Sequence, residues 1–167
     1  MKLIQNISET FYFFGDNDVE EWKDLLDEYN QPPLNLPLHQ SALSFGLAGP
    51  GSGVPFHFHG PGFAETIYGR KRWLVFLKTL FLYKTAFFKS HISIFYRFLT
   101  DPEVRPDFHP NKTTLQWYFQ DYQRVKSEIQ LYECTLRPGE IIYFPDKWWH
   151  ATLNLDTSVF ISTFLSP

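Results

Sequence analysis

Apolar and polar positions alternate along this chain in short runs separated by glycine, proline and asparagine, the mark of strands joined by turns. Residues 41–47, 54–59, 64–68 and 71–76 form one group of such runs. Residues 131–136, 140–144, 148–154 and 158–165 form a second. In the second group Arg137-Pro138-Gly139-Glu140 puts proline and glycine where a type II turn wants them, so 131–136 and 141–144 read as a hairpin. A further strand is expected at 9–14, ended by Gly15. Asp18-Val19-Glu20-Glu21 has the form of a capping box and predicts a helix to about Tyr29, with Val19, Trp22, Leu25, Leu26 and Tyr29 on its apolar face. A second helix is expected at 114–126, with Leu115, Tyr118, Phe119 and Tyr122 along one side. From 74 to 100 neither period holds; its Leu, Phe, Tyr and Lys residues read as helix-leaning. About eight core strands with a few flanking helices predict a mainly β fold, a double-stranded β-helix of jelly-roll type.

Composition narrows this picture without changing it. A chain of 167 residues fits one domain spanning 1–167 with a sizeable core. Twelve prolines and nine glycines suit many short elements better than a helical bundle. The net charge of −3 gives no sign of a nucleic-acid surface. Cys134 is the single cysteine, so no internal disulfide or paired-thiol metal site exists, and it reads as packing. No run approaches the ~20 uncharged residues of a membrane span. The first residues lack the apolar core of a signal peptide, which on its own would leave the chain cytoplasmic if it is complete.

The candidate chemistry lies in Val54-Pro55-Phe56-His57-Phe58-His59-Gly60-Pro61-Gly62. In an extended segment, side chains at i and i+2 share a face, so His57 and His59 would point together. At ~3.3 Å per residue their Cα atoms lie roughly 6.6 Å apart, a span two imidazoles can close around one metal ion. His150 is the candidate third ligand, in Gly139-x5-Pro145-x4-His150-x3-Asn154, where a turn and a proline corner would return a distant histidine to the pair. Glu65, beyond the Gly60-Pro61-Gly62 turn, is a candidate fourth. Neutral imidazoles suit iron, zinc, manganese or copper alike. His39, His91 and His109 have no such partners in the sequence.

These residues carry a resemblance. The His-x-His with its following Glu and Gly, and the Gly-x5-Pro-x4-His-x3-Asn run, are similar to the two cupin motifs. Pro55-Phe56-His57, Tyr68-Gly69-Arg70-Lys71-Arg72-Trp73 and Tyr143-Phe144-Pro145-Asp146-Lys147-Trp148-Trp149-His150 resemble a JmjC domain. Phe13-Phe14-Gly15-Asp16-Asn17 and Phe108-His109-Pro110-Asn111-Lys112-Thr113-Thr114 narrow the likeness to one subfamily, resident in the endoplasmic reticulum lumen. The resemblance implies a barrel that holds Fe(II) by two histidines and a carboxylate, with 2-oxoglutarate as co-substrate and a protein side chain as the group hydroxylated. By position, His57 and His150 match the family histidines. Lys71 matches the lysine that pairs with the distal carboxylate of 2-oxoglutarate. His59 stands where the family has Asp or Glu. A three-histidine centre, with or without Glu65, still binds Fe(II) or another divalent metal in some cupins. The alternative is a catalytically inactive JmjC-fold protein that works through protein partners in signalling or folding.

The resemblance also bears on extent and address. It implies an N-terminally shortened product, with residues 74–100 inserted between the Trp73 strand and the loop at 106–111. A luminal address would give meaning to two glycosylation sequons, Asn6-Ile7-Ser8 and Asn111-Lys112-Thr113.

Overall fold

The structure, a computed structural model, describes residues 11–15, 20–76, 92–94, 108 and 111–167, with 92–94 described as backbone. Nine strands are present among these: β1 (Tyr12–Phe14), β2 (Gln40–Ala48), β3 (Gly62–Tyr68), β4 (Lys71–Phe76), β5 (Ile92–Ile94), β6 (Leu131–Leu136), β7 (Ile141–Phe144), β8 (Trp149–Asn154) and β9 (Ser158–Ser166). They form a six-stranded sheet in the order β1-β2-β9-β3-β7-β5 and a three-stranded sheet in the order β6-β4-β8. The pairings are antiparallel except that of β5 with β7. Sequence neighbours are seldom sheet neighbours, which is the winding expected of a double-stranded β-helix. The β6–β7 corner is the turn expected: Glu140 N–H donates to Arg137 O at 2.9 Å, and Gly139 takes φ +80°.

The alternation along β4 explains how the core divides in two. Trp73 and Val75 point between the sheets, where they pack with Ala64, Leu136, Ile142, Phe144 and Trp148. Leu74 and Phe76 point the other way, into a second cluster. There they meet Trp117, Tyr122 and Val125 of two short helices, α2 (Thr114–Gln120) and α3 (Tyr122–Glu128). A strand buried on both faces needs both kinds of cover, and β8, all six of whose residues are buried, has the same need.

Several sequence expectations are corrected here. Residues 54–59 make one isolated bridge rather than a strand, because Pro55 has no N–H to donate and breaks the ladder. The first helix is only α1 (Lys23–Asp27), preceded by Trp22; residues 16–19, with Asp18 and Val19 of the expected capping box, lie outside the described residues. The helix expected at 114–126 is two, separated at Asp121 (φ −115°). Its buried side carries Thr114, Trp117, Tyr122 and Val125, whereas Phe119 is exposed. The start of α2 is fixed by a capping box not read from sequence, Thr113 with Gln116. In the stretch 74–100, read as helix-leaning, Leu74, Val75 and Phe76 complete β4 and 92–94 form β5. Its remaining residues lie outside those described. Among the described residues no helix is long and apolar enough to cross a membrane.

Candidate metal and anion site

The segment before β3 runs antiparallel along β8 without being a regular strand. Asn154 N–H donates to Ser52 O (2.8 Å), and Thr152 N–H to Val54 O (3.0 Å). His57 and His150 then exchange both backbone hydrogen bonds, at 3.0 and 2.8 Å, and Lys147 N–H donates to His59 O (2.9 Å). Gly53 permits this approach, since a Cβ there would fall 1.8 Å from Thr152 O. The segment keeps the two-residue period of extended chain. Phe56 turns outward, stacked on Phe108 (4.0 Å between centroids) and edge-on to Trp117 (4.7 Å), while Phe58 meets Trp149 edge-on (5.0 Å). His57 and His59 turn inward.

Inside the barrel the two rings meet His150. Ring centroids are 5.3 Å apart for His57 and His59, 4.3 Å for His57 and His150, and 4.7 Å for His59 and His150. One ligand atom from each lies within 4.8 Å of the other two. Each ring also places Nδ1 against a backbone carbonyl: Pro55 O at 2.8 Å, Gly60 O at 2.8 Å and Trp148 O at 2.9 Å. A carbonyl only accepts, so Nδ1 carries the proton in each neutral imidazole and Nε2 keeps the lone pair. This orientation by a carbonyl is the arrangement that metal-binding histidines use. Burial lowers the pKa of all three, most strongly that of His150, which the two other imidazoles depress further. The rings are therefore held neutral, the form in which imidazole binds metal.

The histidines line a cavity of about 160 Å³ that Lys71 also enters. Alternation on β4 selects it from its basic neighbours. Arg70 pairs outside with Asp156 (2.6 and 3.0 Å) and Arg72 with Glu133, while Lys71 faces inward and is 2% exposed. Its ammonium lies 3.0 Å from the centroid of the Phe160 ring and 5.6 Å from that of Tyr12, and burial holds its pKa well below the usual lysine value. No Asp or Glu lines the cavity among the described residues. Glu65 does not join the histidines: it lies on the face of β3 opposite Ala64, where its carboxylate accepts from the Tyr29 hydroxyl at 2.7 Å.

Sequence reasoning missed the rest of the wall. Tyr12, Thr152, Phe160 and Ser162 all line the cavity, with the Tyr12 hydroxyl bonded to that of Thr152. The alternation Phe160-Ser162-Phe164 on β9 was a usable signal for one wall. Tyr12 lies some 140 positions from its partner and offered none.

Residues 67–163 match the family described as JmjC domain, hydroxylase. This chain belongs to the JmjC domain family. Among its relatives, JmjC domain-containing protein 8 of Mus musculus is 52% identical over 158 residues, 95% of this chain and 50% of that protein. The chain thus spans about half the length of the curated relatives it matches first, and the subfamily suggested by its motifs is theirs. Lysine-specific demethylase JMJ21 of Arabidopsis thaliana is 30% identical, over 86% of this chain and 14% of its own length. HSPB1-associated protein 1 of Rattus norvegicus is 29% identical, over 64% of this chain and 20% of its own. In this JmjC chain, three imidazoles with free lone pairs fit a divalent metal, and a buried ammonium beside them, with no acidic partner among the described residues, fits a carboxylate.

Proposed function

We propose that this JmjC domain binds Fe(II) through His57, His59 and His150, binds 2-oxoglutarate with Lys71 on its distal carboxylate, and hydroxylates a protein side chain. The observation that carries the reading is the convergence of three neutral imidazoles and a buried ammonium on one cavity that holds no acid among its described lining. A carboxylate arriving at Lys71 would strengthen the charged ammonium against the neutral amine, because opposite charge offsets desolvation. Thr152 and Tyr12 supply hydroxyls in the same wall, and the rings of Trp73, Phe144, Phe160 and Phe164 give it an apolar lining. In size the cavity is comparable to the ~150 Å³ that accommodates a benzene ring, room for one small organic acid. Fe(II) with 2-oxoglutarate supplies the O2-dependent oxidation characteristic of this family.

His59 alters the charge of the site. With three neutral ligands the metal keeps its full double charge, where a family carboxylate would cancel one unit. That favours an anionic co-substrate and withdraws an anionic donor from the iron. The test is succinate release from 2-oxoglutarate by purified protein with Fe(II), against a His57→Ala/His150→Ala control. Release no greater than that control overturns the proposal.

His59 also favours a second reading, a JmjC fold that acts through protein partners without turnover, a role to which the name of the HSPB1-associated relative lends support. Under it His57 and His150 are replaceable in cells with function intact. A strict requirement for both would sink it. Either reading extends to the endoplasmic reticulum lumen, where the exposure of Asn111 suits glycan transfer to its sequon. Expression behind a secretory leader would then give a band that endoglycosidase shifts, and that Asn111→Gln reduces.

A further inference from the structure

The environment of the Lys71 ammonium has a feature that anion binding alone does not explain. A lysine 2% exposed and with no acidic partner among the described residues ordinarily folds its charge away or loses it. Here Nζ lies over the face of Phe160, with the Tyr12 ring as a second, more distant wall. The face of an aromatic ring is its negative side, and a cation above it gains most where water is excluded.

Phe160 reaches this place because of a residue on a third strand. In the β2–β9 ladder Phe160 stands directly opposite Gly46. A Cβ at position 46 would fall 2.2 Å from Phe160 Cζ and 2.3 Å from Cε2. Even that one carbon overlaps the ring, so any side chain at 46 displaces Phe160 from its place. Gly46 thus opens the floor of the barrel, Phe160 lies across it, and Lys71 from the opposite sheet rests on the ring.

We propose that Gly46 and Phe160 form an aromatic seat that positions the Lys71 ammonium as a preformed anion anchor, making Phe160 a positioning residue for the co-substrate. The role rests on the reading of Lys71 as the carboxylate anchor, but the seat itself does not. An anchor already placed loses little freedom when the anion arrives, which is where preorganisation gains affinity.

A phenylalanine fluorinated at both meta positions keeps the shape of Phe160 and weakens its negative face. Two measurements use it. In the ligand-free protein, a double-mutant cycle on thermal stability pairs this replacement with Lys71→Met. A coupled effect is expected, and strict additivity overturns the seat. In calorimetric titration of the metal-loaded protein with 2-oxoglutarate, affinity is expected to fall about tenfold for the fluorinated ring. Phe160→Leu and Gly46→Ala are expected to weaken it at least as much. Loss in Phe160→Leu with wild-type binding by the fluorinated ring would make Phe160 mere filling and overturn the positioning role. A wild-type protein that takes up no 2-oxoglutarate overturns the anchor reading of Lys71, and the ligand-free cycle then decides the seat alone.

Discussion

Two parts of the site are held in different ways. His150 and Lys71 lie in regular ladders: Lys71 is paired on one side with Leu136 and on the other with Asn154, and β4 joins β8 in register from end to end. His57 and His59 lie on a segment with one bridge, its path interrupted by Pro55 and pinned from outside by aromatic packing. Neither Cα of the ladder pair can move without its sheet. The segment's geometry depends on what lies behind it, Phe56 against Phe108 and Trp117, and the Thr114 hydroxyl that donates to Val54 O at 2.8 Å. The ladder side is therefore fixed by continuous backbone pairing, and the segment side by a few backbone hydrogen bonds, those of His57 with His150 among them, backed by side chains from α2 and beyond.

Breaking each side should show the difference. The largest effect is expected from His150→Ala, which removes a ligand from the fixed side: bound metal should fall by about a hundredfold or more in affinity, read by elemental analysis after dialysis. Phe56→Ala should lower stability by about 3–5 kcal/mol in urea unfolding and loosen the metal as well, since it removes the ring that pins the segment. The same truncation at a site unconnected to metal geometry would cost stability alone. His59→Asp tests the segment's tolerance. It leaves every ladder intact and adds a charge worth about 4 kcal/mol to a nearby cation before desolvation, so retained iron and turnover should rise about tenfold or more. Thr114→Val should cost only about 1 kcal/mol of stability, one hydrogen bond to the segment.

A pH series sharpens the comparison in metal-free protein. Burial holds the folded-state pKa of His57, His59 and His150 below the ordinary 6.5, so below that pH the unfolded chain takes up protons that the folded one refuses. Stability is then full above about pH 6.5 and falls as the pH drops through the window beneath it. Because His150 is depressed most, His150→Gln should flatten the fall more than His59→Gln, read as urea midpoints across the window.

The same division decided what could be read from sequence. Strands with full ladders announced themselves: 131–136 matches β6 residue for residue, and the runs at 71–76 and 140–144 contain β4 and β7. The three histidines were legible because spacing and period carry through extended chain whether or not a ladder forms. Lys71 was legible only through its motif. Side-chain packing between distant elements leaves no local period. Hence Trp117 was passed over for Phe119, the break at Asp121 went unseen, and Tyr12 and Phe160 emerged only with the cavity. Glu65 shows the limit from the other side. Its spacing suited a ligand, but the pleat of β3 turned it outward to Tyr29.

The reciprocal hydrogen bonds between His57 and His150 carry a consequence for how such a protein can change over generations. They fasten two of the three clustered histidines into one backbone ring, so the distance between those two is inherited with the fold. Position 59 lies outside that ring. A single-codon replacement there alters the charge and donor set of the cluster while leaving its frame intact. Selection can thus vary the chemistry of this barrel, or retire it, at one residue without having to rebuild the protein around it.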